Sequence, residues 1–321
     1  MTRPAPASPE QIGRLLRSAC PDWRLVRAWP LTGGVSARVS AIEAELPDGQ
    51  RSTLVLRQYG AANLSADPHA AETEHRLLQL LWAASLPVPR PYLADESGSI
   101  IPGSCLLQEF IDGERADDPP DTADSARQLA GALAALHAAD FTRADVPFLA
   151  DVRDDVARQL GTGPADPDEF LHENAVRAAV TGSWPPPELN RPVILHGDYW
   201  PGNVLWRHGR LAGVIDWEDA LFGDPLADLS ITRLEISWSW GFAAMGQFTD
   251  RYLKLRPEVD AADLALWDLR AALRASGFKM DTWGLPAGKL RAAKAAHREF
   301  IERALREFAR RQDSEKGGTR R

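Results

Sequence analysis

Short apolar runs separated by turn residues fill the first third of the chain. Arg24 to Trp29, Ala37 to Glu45 and Thr53 to Gln58 have the apolar and β-branched content of strands. Pro47-Asp48-Gly49, between the second and third, reads as a hairpin turn, and Leu31-Thr-Gly-Gly34 as the turn after the first. The period then changes. The run AAETEHRLLQLLWAA sets Leu77, Leu78, Leu80 and Leu81 on one face. A helix is predicted there with Asp67 as N-cap and Pro68 at its first position, stopping before Leu86-Pro87-Val88-Pro89. Cys105 to Ile111, CLLQEFI, predicts another strand that ends at Asp112-Gly113.

Beyond Gly113 the helical period dominates. Asp124 to Ala139 carries Leu129, Leu133 and Leu136 on one side, and Asp166 to Val180 predicts a second helix closed off by Pro185-Pro186-Pro187. Val193 to Ile215 is strand-rich, and from Pro225 the pattern is helical almost to the end. The last residues, QDSEKGGTRR, are expected to be disordered. The prediction is an α+β protein without internal repeats. A β-rich lobe (residues 1–112) precedes a mostly helical lobe (residues 113–321), and they join near 107–113.

Composition narrows the class. The 321 residues are 44% hydrophobic and 26% charged, the range of a globular protein with an ample core. A formal net charge of -8 argues against nucleic acid as a partner. The same acidity is compatible with a cationic substrate. Eleven tryptophans read first as large core side chains. Two cysteines, Cys20 and Cys105, are too few for a disulfide framework or a zinc site. The start MTRPAPASPEQIGRLL lacks the apolar core of a signal peptide, and no run is long enough to span a membrane. These features predict a cytoplasmic protein with no membrane partner.

The informative segment is VILHGDYWPGNVLWRHGRLAGVIDWED. It holds His196-Gly197-Asp198, then Asn203 five positions after Asp198, then Asp216 within Ile215-Asp216-Trp217-Glu218. Apolar, strand-like runs precede both carboxylates. Phosphoryl transfer needs such a set, because the charge on the moving group must be neutralised and the attacking hydroxyl aligned and deprotonated. Magnesium takes hard oxygen ligands and keeps several waters, so a carboxylate from Asp216 and an amide oxygen from Asn203 suffice. Asp198 is then left to accept the hydroxyl proton. The spacing D-x-x-x-x-N followed by a strand-borne Asp is that of a kinase catalytic loop and metal site.

These residues resemble the aminoglycoside phosphotransferase and choline kinase family, which has a two-lobed protein-kinase-like fold. That family carries His-Gly-Asp where protein kinases carry His-Arg-Asp. The stretch from Phe222 to Leu229, FGDPLADL, and the helix ending LAALH at His137 are similar to it as well. The likeness covers roughly residues 30 to 255. It implies a kinase for small molecules that transfers the γ-phosphoryl group of ATP or GTP to a hydroxyl, with Mg2+. Under it, Gly33, Gly34 and Ser36 belong to the loop over the phosphates. Arg57 takes the place of the strand lysine that holds the α- and β-phosphates, with Glu74 as its helix partner and Glu72 as the alternative. Glu109 lies with Gln108 and Phe110 at the lobe junction, where backbone groups meet the base. His196 orients the catalytic loop, and Asp224 and Asp228 are structural. Glu218 either approaches the metal or is a polar residue near the cleft, and it is grouped here with the acceptor set.

The acceptor is expected in the helical lobe beyond Asp198. Glu235, Trp238, Trp240, Asp281 and Trp283 follow there, acidic and aromatic groups that suit a cationic acceptor, and an aminoglycoside, an amino alcohol or a sugar is expected. Core packing is the other reading of the tryptophans. A protein kinase is disfavoured because Gly223-Asp224-Pro225 follows Asp216 almost at once, without an activation loop. A nucleotide-binding pseudokinase is disfavoured by the joint presence of Asp198, Asn203 and Asp216. Oligomeric state is not legible in the sequence.

Overall fold

The computed structural model describes residues 4–31, 37–115, 119–161, 166–276, 280 and 286–318. The chain divides into two compact units. The first comprises Met1–Gly113 with Ala212–Glu218, the second Glu114–Leu211 with Asp219–Arg321.

The first unit begins with a helix that the sequence reading did not expect, α1 (Pro9–Ala19). A capping box sets its start. The Ser8 hydroxyl accepts the Gln11 amide, and the Gln11 side chain accepts the Ser8 N–H. The strands β1 (Arg24–Pro30), β2 (Arg38–Glu45), β3 (Arg51–Gln58), β4 (Pro91–Asp95) and β5 (Cys105–Glu109) form one antiparallel sheet in the order β1-β2-β3-β5-β4. The hairpin expected at Pro47-Asp48-Gly49 joins β2 to β3. Gly49 takes φ +82° and its N–H donates to the Leu46 carbonyl at 2.9 Å. Successive side chains of a strand point to opposite faces. Leu54 and Leu56 of β3 therefore join Ile42, Leu107 and the α1 residues Ile12, Leu15 and Leu16 in one core cluster. Arg57 points to the other face. There α3 (Ala70–Ala83) packs on β4 and β5 and buries Leu77, Leu78 and Leu81.

The helix predicted from Pro68 starts later than expected. A short helix, α2 (Ala61–Ala66), ends at Asp67, and α3 has His69 as its N-cap. The Asp67 carboxylate accepts the His69 amide at 2.8 Å and so closes a local turn instead of capping a helix.

In the second unit, α4 (Thr122–Ala138) is capped by the Asp121 side chain, which accepts the Asp124 amide. Then come β6 (Ala150–Asp151), α5 (Val152–Leu160), α6 (Glu173–Ser183), β7 (Val193–Leu195), β8 (Val204–Arg207), β9 (Arg210–Val214) and β10 (Leu221–Gly223). From Ala212 onward β9 belongs to the first unit. The helices α7 (Leu226–Ser239), α8 (Gly241–Leu255), α9 (Leu264–Ser276) and α10 (Ala287–Gly318) complete it. A small sheet runs β6-β10-β7. α7 packs against α8, α9 and α10, so it is buried nearly all round, polar Asp228, Ser230 and Thr232 included.

Two further expectations change. The helix predicted over 166–180 is a 3-10 turn (Glu169–Leu171) and then α6, parted at His172, which has φ +52°. Local caps break it: Asp168 accepts the Leu171 amide, and Glu173 accepts the Asp168 amide. The tail expected to be disordered is helical to Gly318. Pairs such as Glu299–Arg303 and Glu307–Arg310, three or four residues apart, support that helix. No described helix is long and apolar enough to cross a membrane.

Candidate active site

The second unit carries the His-Gly-Asp loop. β7 is buried along its whole length and pairs with β10, Leu195 opposite Leu221, which fixes where the loop leaves the sheet. Asp228 of α7, fully buried, anchors the loop. Its carboxylate accepts the His196 amide at 2.7 Å and the Gly197 amide at 2.9 Å. The same carboxylate lies 3.2 Å from His137 Nε2, and His137 Nδ1 is 2.7 Å from the Tyr252 hydroxyl. Burial works to raise the Asp228 pKa, but the hydrogen bond and charge of His137, the charge of His196 and the His196 amide bring it below the usual carboxylate value. Burial depresses the His137 pKa, against the pull of Asp228.

Gly197 lies in the left-handed region at φ +79°. A Cβ there would meet the Asp219 carbonyl oxygen at 1.8 Å, so the loop has room only for glycine. The Asp198 amide donates to His196 Nδ1 at 3.3 Å. Asn203, at the end of the 3-10 turn Pro201–Asn203, is buried. Its Nδ2 donates to the Asp198 carbonyl and to Asp198 Oδ2, both at 2.9 Å. The Asn203 amide nitrogen thus fixes the Asp198 carboxylate, and the amide oxygen is the atom available to a cation.

Arg274 of α9 was not anticipated. Its Nη1 donates to the Gly197 carbonyl at 2.7 Å, and its Nη2 lies 3.5 Å from Asp198 Oδ1 and 3.8 Å from Asp219 Oδ2. Glu235 of α7 belongs to the same cluster. Burial pushes its pKa up to about 8, the Asp198 charge adds to the rise, and Arg274 opposes it. Nothing local in LRAALRAS distinguishes Arg274 from an ordinary helix arginine, because its contacts are made across the tertiary fold.

The first unit holds the other residues. Asp216 adopts φ +70°, rare for a residue with a Cβ, just after the β9 strand. The neighbouring Trp217 is buried, and its Nε1 donates to the Val214 carbonyl. Arg57 Nη2 donates to Asp216 Oδ1 at 2.7 Å and also to Glu218 Oε2. Arg57 Nε lies 3.7 Å from Glu74 Oε2, the oxygen that also accepts the Tyr59 hydroxyl at 2.6 Å. Burial works against the charge on Arg57, yet Glu74, Asp216 and Glu218 together hold it firmly protonated. Burial raises the Glu74 pKa, and Arg57 counters that. Glu218 also accepts Asn63 Nδ2 at 2.7 Å. The structure therefore groups Glu218 with Arg57 and Asn63.

Other sequence-predicted residues lie elsewhere. The Glu109 amide donates to the Arg90 carbonyl, and the Phe110 amide to Thr53. Those two donors are used inside the sheet instead of waiting for a base. Trp238 stacks on His297 of α10, centroids 5.3 Å apart. Trp240 sits at the junction of α7 and α8, and its Nε1 has no hydrogen-bond partner among the described residues. Gly33, Gly34 and Ser36, and likewise Asp281 and Trp283, lie outside the described residues.

The oxygen donors fit magnesium in kind: a half-exposed carboxylate on Asp216 and an amide oxygen on Asn203. Among the described residues no group of three or more His, Cys, Asp or Glu is placed to hold a metal ion.

The sheet-based first unit and the mostly helical second unit are those of a protein-kinase-like fold. The chain belongs to the phosphotransferase enzyme family (APH), whose profile matches residues 27–267. In structure it is similar to a putative aminoglycoside phosphotransferase from Ralstonia eutropha JMP134, with TM-score 0.67 and 17% identity over 94% of this chain and 98% of that one. It is also similar to aminoglycoside phosphotransferase APH(4)-Ia in a ternary complex with ADP and hygromycin B, with TM-score 0.61 and 18% identity over 92% and 98%. Curated relatives include acyl-CoA dehydrogenase family member 10 of Mus musculus, 27% identical over 62% of this chain, and member 11 of Gallus gallus, 24% identical over 60%. The chain spans only 20% and 26% of the length of those two proteins.

Proposed function

We propose that this protein transfers the γ-phosphoryl group of ATP or GTP to a hydroxyl of a small molecule, with Asp198 as the base. The observation that carries the proposal is the restraint on Asp198. Asn203 Nδ2 holds one carboxylate oxygen, and Asp228 pins the two preceding amides. A carboxylate fixed in this way can align an alcohol and accept its proton as the bond to phosphorus forms. Arg57, kept charged by three carboxylates, is the cation for the α- and β-phosphates, and Glu74 buttresses it. Asp216 and Asn203 are the proposed oxygen ligands for magnesium, which would neutralise the charge on the phosphates. The ADP bound by the APH(4)-Ia neighbour supports an adenine nucleotide as co-substrate.

The test is release of ADP or GDP, with magnesium, across a panel of hydroxyl compounds, followed by detection of the phosphorylated product. The expected result is acceptor-dependent turnover that Asp198→Asn removes. Nucleotide binding without transfer to any hydroxyl, or transfer that survives Asp198→Asn, overturns the reading.

A further inference from the structure

Gly197 stands immediately before Asp198 and has no side chain to fix it. A glycine can visit many backbone conformations, and the base would swing with it. Both polar groups of Gly197 are held, however. Its N–H donates to Asp228 Oδ1 of α7 at 2.9 Å, and its carbonyl accepts Arg274 Nη1 of α9 at 2.7 Å. The second bond fixes one side of the planar peptide that leads into Asp198. The other side of that peptide, the Asp198 N–H, lies 3.3 Å from His196 Nδ1.

The other terminal nitrogen of Arg274 reaches the base itself. Nη2 lies 3.5 Å from Asp198 Oδ1, while Oδ2 of the same carboxylate accepts Asn203 Nδ2 at 2.9 Å. The carboxylate is thus flanked, by a hydrogen bond on one oxygen and by a positive charge beside the other. A charge-assisted hydrogen bond is about 2.7–2.9 Å long. At 3.5 Å the guanidinium orients Oδ1 and leaves its lone pairs to an acceptor hydroxyl. Nη2 also lies 3.8 Å from Asp219 Oδ2, on a side chain more than half exposed. A planar guanidinium can address a carbonyl and a carboxylate at once, whereas an ammonium has a single nitrogen.

We propose that Arg274 is a positioning residue for the transfer: it locks the Gly197–Asp198 peptide and presents Asp198 Oδ1 to the acceptor hydroxyl. This rests on the phosphotransfer reading and adds to it a residue from outside the His-Gly-Asp loop. In the step, Oδ1 takes the hydroxyl proton and the acceptor oxygen forms the new bond to the γ-phosphorus. The bond from that phosphorus to the bridging oxygen breaks, and its electron pair leaves with ADP or GDP. Asp198 is then neutral. Arg274 still faces Asp219, so protonation of the base does not strand the guanidinium without a counter-charge.

The experiment uses the full chain and the best acceptor of the hydroxyl panel, at a temperature where the variants compared are folded. Arg274→Gln should lower kcat by about 10–100-fold, the scale of a misplacement of about 1 Å at a reacting group, and leave nucleotide KM unchanged. Arg274→Lys keeps the charge and most of the bulk but cannot reach both the carbonyl and the carboxylate. Its kcat should fall between those of wild type and Arg274→Gln. It carries the test alone if Arg274→Gln does not fold. Guanidinium chloride, below unfolding concentrations and compared with sodium chloride at equal ionic strength, should raise kcat of Arg274→Ala and not of the wild type. A kcat within about threefold of wild type in Arg274→Gln overturns the proposal, as does full wild-type kcat in Arg274→Lys. A loss that neither lysine nor guanidinium restores in part makes Arg274 a brace of the second unit only, and overturns it too. Transfer that Asp198→Asn removes and Arg274→Gln keeps rejects the role of Arg274 alone. No transfer by the wild type to any hydroxyl rejects the phosphotransfer reading, and this role with it.

Discussion

Replacing Gly197 by alanine tests whether the backbone of the catalytic loop matters as much as its side chains. The added Cβ would stand 1.8 Å from the Asp219 carbonyl oxygen, whereas real Cβ contacts essentially never fall below 3.0 Å. The two backbones must therefore separate by about 1.2 Å, and Gly197 is held in place. The Gly197 amide is bonded to Asp228 and its carbonyl to Arg274. The left-handed φ of +79° adds about 1–2 kcal/mol for a residue with a Cβ. The expected stability loss is about 2–4 kcal/mol. A misplacement of about 1 Å at a reacting group costs about 100-fold in rate. The Gly197→Ala protein should thus melt several degrees lower, bind nucleotide normally and show a kcat at least about 100-fold below wild type with the best acceptor of the panel. Circular dichroism melts and steady-state kinetics measure both. A kcat within about threefold of wild type, with an unchanged melt, would refute the idea that this glycine is sterically required.

Asp198→Asn should keep the fold and nucleotide affinity and lower kcat by about 10²–10⁴-fold, which rapid-quench or coupled assays read directly. Near-normal kcat in a folded variant would remove Asp198 from the role of base. Asp216→Ala should abolish magnesium-dependent nucleotide binding, followed through fluorescence of the neighbouring Trp217; unchanged magnesium affinity would refute Asp216 as ligand. Glu235 has a folded-state pKa raised to about 8, against about 4.5 for an ordinary glutamate. Its protonated form therefore favours the folded state fully below about pH 4.5, and that contribution is lost as pH rises toward 8. Glu235→Gln, neutral at every pH, should lose less melting temperature than wild type between pH 5 and 8. Parallel melting curves for the two proteins would show that Glu235 is not held protonated.

Local chemistry made much of the fold legible. The β2–β3 hairpin follows from Pro47-Asp48-Gly49, because Gly49 alone tolerates the φ the turn requires. The leucine stripe made α4 legible, although the Asp121 cap starts it at Thr122 and not at Asp124. The misses have local causes too. α1 hides among prolines and declares itself only by the Ser8–Gln11 capping box. The break at His172 comes from the competing caps Asp168 and Glu173. Asp67 and Pro68 look like a helix start, but the Asp67 carboxylate closes a turn on His69.

The sequence by itself determined which residues are candidates for the site. His196, Gly197, Asp198, Asn203 and Asp216 are close in the chain, and the proposed phosphoryl transfer rests on their order and spacing. Arg57 with Glu74 is also legible, since strand alternation and helix period each present one polar group to the same side of the sheet. The tertiary structure alone decided what surrounds Asp198. Arg274 and Asp198 are 76 positions apart, and Glu235 is 37 positions from Asp198. Neither contact leaves a periodic trace in the sequence. Which helix face meets the loop is set by how α7 and α9 pack, a matter of summed apolar burial over many residues and not of any local pattern. For that reason the sequence gave no sign of Arg274, which the packed helices place 3.5 Å from the Asp198 carboxylate.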